Sequence, residues 1–68
     1  MTAPRLGNGE LRRMVAGVLA GDPGREHSPR EVAKTLARSS GAVGNALEAL
    51  TAAGHADRTA ASPRRYRA

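Results

Sequence analysis

Apolar residues recur at helical spacing in the first third of the chain, after residues 1–8, which show no periodicity. The intervals are i, i+3, i+4, i+7 and i+8, which place all members on one face of a helix. The stripe consists of Leu11, Met14, Val15, Val18 and Leu19. We therefore predict a flexible arm over residues 1–8 and a first helix from Leu11 that stops at the turn-forming residues 21–24.

A second helix is predicted to begin after Ser28, because Ser28 and Glu31 have the spacing of a capping box and Pro29 suits the first helical position. Its expected buried stripe is Val32, Ala33, Leu36 and Ala37, and its expected end lies near Arg38. His27, just before this helix, is expected in a short bridging strand.

A third helix should follow at once, with Ser39 or Ser40 as its N-cap. Its apolar face has the same helical spacing and consists of Val43, Ala46, Leu47 and Leu50. Gly54 suits the left-handed position that follows a helix end.

The last segment predicts a β-hairpin, because its short alternating stretches flank a turn over residues 60–64. We expect His55 to begin the first strand, and the second strand to hold Arg65 and Arg67 on one face and Tyr66 on the other. An isolated hairpin is marginal in water, so it must lie on the helices, with Tyr66 as its anchor.

The chemistry of the chain points to a binding domain. The chain of 68 residues has a net charge of +5, and its length predicts one domain, which we place over residues 9–68. Ten of its eleven basic residues are Arg, which favours a polyanionic partner such as nucleic acid, the alternative being a basic surface that aids solubility. The Ala, Gly and Arg richness indicates a high-GC bacterium.

Catalysis and metal binding have no residue support in this sequence. It holds no cysteine, and its two histidines, His27 and His55, are too few and too far apart for a convincing metal site. No nucleophile lies beside a base, so we expect no enzyme activity and no cofactor. No apolar stretch approaches the ~20 residues of a membrane span, so we expect a cytoplasmic protein, associated with the nucleoid if it binds DNA.

The order helix, helix, tight turn, helix, basic hairpin is that of a helix-turn-helix with a wing. Residues 28–54 resemble the core of winged-helix regulators of the MarR and GntR families. The matching positions are Val32 and Leu36, then Ser39 and Ser40, then Val43, Leu47 and Leu50, then Gly54. The long dimerisation helices of MarR proteins have no counterpart here. The chain is also similar to the small C-terminal modules of FtsK-type DNA translocases.

This resemblance implies a mainly α fold with a small β-hairpin, a winged helix-turn-helix with a three-helix core. It also implies sequence-specific binding of double-stranded DNA, for transcription regulation or DNA-site recognition. The oligomeric state is open, and the chain could be one part of a larger protein. The alternative is a winged helix that serves protein interaction or assembly, because the third helix carries no Lys or Arg.

Base-reading residues are expected on the outward face of the third helix, opposite its apolar stripe. Asn45 could bind adenine through two hydrogen bonds, and Glu48 could accept one from cytosine N4. Gly41 and Gly44 would let the backbone approach the bases, the alternative being neutral drift in a Gly-rich chain. Ser40 completes this set.

Phosphate contacts are expected from the second helix, the turn and the hairpin. The expected set is Arg30, Lys34, Arg38, Ser39, Arg58, Arg64, Arg65 and Arg67. The alternatives are that the helix residues form a solvated face, that Ser39 only caps the third helix, and that the arginines form a frayed tail.

Overall fold

The helices and strands follow the predicted order in the computed structural model, which describes residues 7–68. Helix α1 spans Gly7–Ala20, α2 spans Pro29–Leu36 and α3 spans Ser40–Ala52. Strands β1 and β2, Asp57–Ala61 and Arg64–Arg67, form an antiparallel hairpin. The fold is thus mainly helical with one small two-stranded sheet.

The boundary of the predicted arm needs correction. Gly7 and Asn8 belong to α1, while residues 1–6 lie outside the described residues. The apolar stripe places the helix start at Leu11, but such a stripe marks only where burial begins. A helix can extend one turn beyond its buried face, so its first residues leave no apolar signal.

Helix α2 begins as predicted and ends earlier. The Ser28 side chain accepts from the Glu31 backbone N–H, and the Glu31 side chain accepts from the Ser28 N–H, which completes the capping box. The helix stops because Ala37 adopts a left-handed conformation, with φ 57°. Ala37 is exposed, so its expected place in the buried stripe is wrong.

Helix α3 starts only a few residues later, with Ser39 as its N-cap. The tight connection brings α3 across α2. Past its other end Gly54 takes the predicted left-handed conformation, with φ 82°. The His55 N–H donates to the Leu50 carbonyl at 2.8 Å, so His55 belongs to the turn that closes α3. The expectation that His55 begins the first strand is therefore wrong.

The turn of the hairpin is tighter than predicted, because β1 extends to Ala61 and β2 begins at Arg64. The ladder pairs Arg58 with Tyr66 and Ala60 with Arg65, which leaves Thr59 as the extra residue of a bulge. A third segment joins the ladder at Tyr66, whose N–H and carbonyl both bond to the backbone of His27, at 2.8 and 2.7 Å. The predicted bridging position of His27 is thus confirmed.

The core lies between the three helices and the inner face of the hairpin. Tyr66 is fully buried and anchors the hairpin, as predicted. The other fully or almost fully buried side chains are Val15, Leu19, Val32, Val43 and Leu47, all from the predicted apolar stripes. Burial of each large aliphatic side chain contributes roughly 1.5–3 kcal/mol, so these stripes hold the helices together. Within residues 7–68, no helix has the length and apolarity that a membrane crossing requires.

Candidate functional site

An open groove of about 500 Å³ lies between the start of α2, the outward face of α3 and the tip of the hairpin. Three elements distant in sequence therefore meet at one surface. The predicted site residues that line it are Arg30, Ser40, Gly41, Gly44, Asn45 and Arg64. Four of the five residues expected to read bases are among them, and Glu48 is the exception.

A second depression adjoins this groove. It is lined by Arg30, Lys34, Arg38 and Ser40, among others, and shares Arg30 and Ser40 with the groove. Arg30 and Lys34 are four residues apart on α2, so they lie on the same face of that helix. The cations of α2 and of the α2–α3 turn thus extend from the groove, at Arg30, into the adjoining depression.

The two glycines of α3 have no packing role. A Cβ atom added at Gly41 or Gly44 would meet nothing within 4 Å among the described residues. Glycine in a helix interior costs about 1 kcal/mol relative to alanine, so the fold by itself favours a larger residue at Gly44. Their absent side chains leave the groove floor open beside Asn45, which is exposed.

The start of α3 shows how its serines are used. The Ser39 hydroxyl oxygen accepts from the Ala42 N–H at 3.2 Å, so the N-capping alternative stated for Ser39 is realised. Ser40 is the first helical residue and lines both depressions. Of the two serines, Ser40 is therefore the one that faces the groove.

Glu48 does not point freely outward as expected. Its carboxylate accepts a hydrogen bond from the Tyr66 hydroxyl and two from Arg58 Nη1, at 3.2 and 3.4 Å. The Tyr66 hydrogen bond holds the pKa of Glu48 below its usual value, against an opposing effect of burial, and Arg58 and Arg64 lower it further. Burial, and then the bond to Glu48, raises the pKa of Tyr66. Glu48 is therefore an ionised acceptor engaged by the hairpin.

The four hairpin arginines, expected to act alike, occupy different environments. Arg64 lies two residues from Tyr66, on the face of β2 turned toward α3, and lines the groove. Arg58 binds Glu48, and Arg67 pairs with Asp57 at 3.8 Å on the opposite face. Arg65 is exposed on that opposite face. The alternation predicted for the strand is confirmed, but only Arg64 reaches the groove.

Excess positive charge borders the groove. Exposed cations that line the groove or the adjoining depression make no ion pair with any residue in the described part of the chain: Arg30, Lys34, Arg38 and Arg64. Arg65, on the opposite face of the hairpin, is likewise without an ion pair there. The nearest acids are already engaged, Glu31 by Arg25 and Glu48 by the hairpin. A surface of this kind suits a polyanion.

Two features of the site were missed by reasoning from the sequence. Pro63 lines the groove from the hairpin tip, where the sequence showed only a turn. The contact of Tyr66 with Glu48 joins residues 18 positions apart and depends on the way the hairpin packs. Among residues 7–68, no cluster of three or more His, Cys, Asp or Glu could hold a metal ion.

No family model matches this chain, and neither a curated protein nor a solved structure matches it.

Proposed function

We propose that this chain is a winged helix-turn-helix domain that binds double-stranded DNA sequence-specifically. In this proposal α3 enters the major groove, the cations of α2 and the turn contact one phosphate strand, and the hairpin is the wing. The observation that carries it is the groove itself, where the open glycine face of α3 and exposed Asn45 lie between two sources of unpaired positive charge.

The dimensions of α3 fit this role. Its 13 residues give a rod about 20 Å long at about 1.5 Å per residue. The major groove of B-DNA is about 12 Å wide and admits one α-helix. With hydrogen in place of side chains at Gly41 and Gly44, the α3 backbone can come closer to base edges than an ordinary helix. Asn45 would then present its amide to an adenine.

The charge distribution fits contacts to the DNA backbone. Arg30 and Arg64 line the groove beside α3, and Lys34 and Arg38 line the depression that adjoins it. Phosphate contacts from these residues would hold α3 in register, which is the part that such contacts play in DNA recognition. In this view the domain contributes to transcription regulation or marks a DNA site at the nucleoid.

The proposal is tested by selection from a random duplex library, followed by binding measurements over a range of salt concentrations. If each of the five unpaired cations neutralises one phosphate, the slope of log K against log salt is about −4.5. A selected consensus sequence with a slope of this size supports the proposal. Enrichment of no sequence, together with a slope near zero, overturns it.

A protein-interaction module is the second candidate, and one observation favours it: α3 carries no Lys or Arg. A partner protein would be held through the same groove with little dependence on salt. The slope therefore separates the two candidates, because counterion release from DNA makes binding steeply salt-dependent.

A further inference from the structure

One side chain of α3 is bound by both strands of the hairpin. The Tyr66 hydroxyl, from β2, donates a hydrogen bond to the Glu48 carboxylate. Arg58, from β1, donates to both oxygens of the same carboxylate. Glu48 thus fixes the hairpin at two points and stands at the junction between α3 and the hairpin.

The register of the hairpin makes this double contact possible. Arg58 and Tyr66 are directly paired across the ladder, and paired residues of an antiparallel sheet project from the same face. The bulge at Thr59 comes directly after this pair and shifts the rest of the ladder, so that Ala61 lies opposite Arg64. Arg64, on the same face as Tyr66, is thereby placed near the tip and toward the groove.

The charge of Glu48 also calls for an explanation. It is the only ionisable side chain of α3, and it lies on the helix that the proposed function brings to DNA. A carboxylate there repels phosphates, and both of its oxygens already accept hydrogen bonds from the hairpin, which favours an indirect contribution to binding. The hydroxyl of a buried tyrosine normally needs a hydrogen-bond partner, and Glu48 supplies it.

We propose that Glu48 is a positioning residue, which sets the hairpin against α3 so that Arg64 stands in register with Asn45 along the groove. This inference rests on the proposed DNA-binding function. Glu48 itself touches no base. Its effect reaches DNA through the hairpin arginine that it helps to place.

The test compares Glu48→Gln with a matched control, Asp57→Asn. Both remove one carboxylate that pairs with an arginine of the hairpin, but Asp57 pairs with Arg67 on the outer face and has no bond to α3. Both variants should bind non-specific duplex more tightly, with a salt slope steeper by about one unit, because one arginine is released for a phosphate. Only Glu48→Gln should lose discrimination, by about five- to tenfold, spread over the base pairs nearest the hairpin. The amide oxygen of glutamine still accepts from Tyr66 and Arg58, but without the carboxylate charge it holds both donors more weakly.

Tyr66→Phe provides the complementary variant. It removes the hydroxyl and keeps every charge, so discrimination should fall as in Glu48→Gln while the salt slope on non-specific duplex stays that of the parent. Because both residues act through one contact, the double variant should discriminate about as well as either single variant. The amides of His27 and Tyr66, which bond to each other's carbonyls, should exchange hydrogen faster in both single variants.

The inference is overturned if Glu48→Gln discriminates as well as Asp57→Asn, which would show that only charge matters. It is also overturned if the loss falls on a single base pair, which would make Glu48 a base contact. If the parent chain selects no duplex, the proposed DNA-binding function fails. Hydrogen exchange then tests the inference by itself, because unchanged exchange at the amides of His27 and Tyr66 in both single variants would show that Glu48 does not position the hairpin.

Discussion

The substitution Gly44→Leu distinguishes the stability of α3 from its proposed binding to DNA, because it should raise the first and abolish the second. Gly44 lines the groove at mid-helix, and an added Cβ would meet no atom within 4 Å. A leucine at this position raises the helix propensity of α3, and its side chain fills the space through which α3 would approach DNA. The matched control is Gly17→Leu, because Gly17 is an exposed glycine of α1 with an equally open Cβ position.

The two effects have opposite signs. Leucine exceeds glycine in helix propensity by about 0.5–1 kcal/mol, so both variants should be more stable than the parent by roughly that amount. For a domain of this size, that corresponds to a rise of about 2–8 °C in Tm. Binding to the selected duplex should fall only in Gly44→Leu, to the non-specific level, which is a loss of about 1,000-fold or more.

Thermal unfolding followed by circular dichroism gives the first quantity, and fluorescence anisotropy with the selected duplex gives the second. The reasoning is refuted if Gly44→Leu binds the selected site as tightly as Gly17→Leu, since α3 would then lie outside the major groove. A Tm below that of the parent would instead show that the side chain collides with the hairpin tip.

Three further results are expected. Asn45→Ala should weaken preference at one base position by ~1–3 kcal/mol in a base-substitution scan and leave non-specific binding unchanged; equal losses at all positions would contradict base reading. Leu47→Ala should lower the free energy of unfolding, measured in urea, by ~2–5 kcal/mol, because Leu47 is fully buried. Leu36 is only half-buried, so Leu36→Ala should lower it less. Equal losses in the two variants would show that the core is wrongly placed. The pKa of Glu48 is lower in the folded state than the value of about 4.5 that it has in the unfolded chain. The ionised carboxylate therefore stabilises the fold fully at pH values above 4.5, and this stabilisation is lost as the pH falls through the pKa of the folded state. Urea unfolding from pH 6 down to pH 2 should therefore show a steeper acid loss in the parent than in Glu48→Gln, and parallel curves would contradict the lowered pKa.

Local structure was predictable because its causes lie within three or four residues along the chain. The capping box of Ser28 and Glu31 joins residues one helical turn apart, and so do the members of each apolar stripe. The left-handed Gly54 follows from the preference of glycine for that conformation after a helix. Where a boundary was wrong, as at Gly7 and Ala37, no apolar contact or side-chain cap marked it in the sequence.

The composition of the candidate site was also visible in the sequence, although its geometry was not. The outward face of α3 follows from the inward direction of its apolar stripe, so helical periodicity alone assigns Gly41, Gly44 and Asn45 to that face. That Arg30 and Arg64 share a groove with them could not be predicted, because this depends on how α2 and the hairpin pack against α3.

Tertiary structure alone decided the roles of Glu48 and the hairpin arginines. Helical periodicity places Glu48 on the outward face, but the bulge at Thr59 and the burial of Tyr66 bring two donors onto its carboxylate. Strand alternation separates Tyr66 from its arginine neighbours, yet it cannot tell which neighbour faces a groove. Short-range sequence patterns determine which face of a helix or strand is buried. The contacts between charged groups depend instead on how elements far apart in the chain pack together. A shift of one residue in strand register would change every such contact.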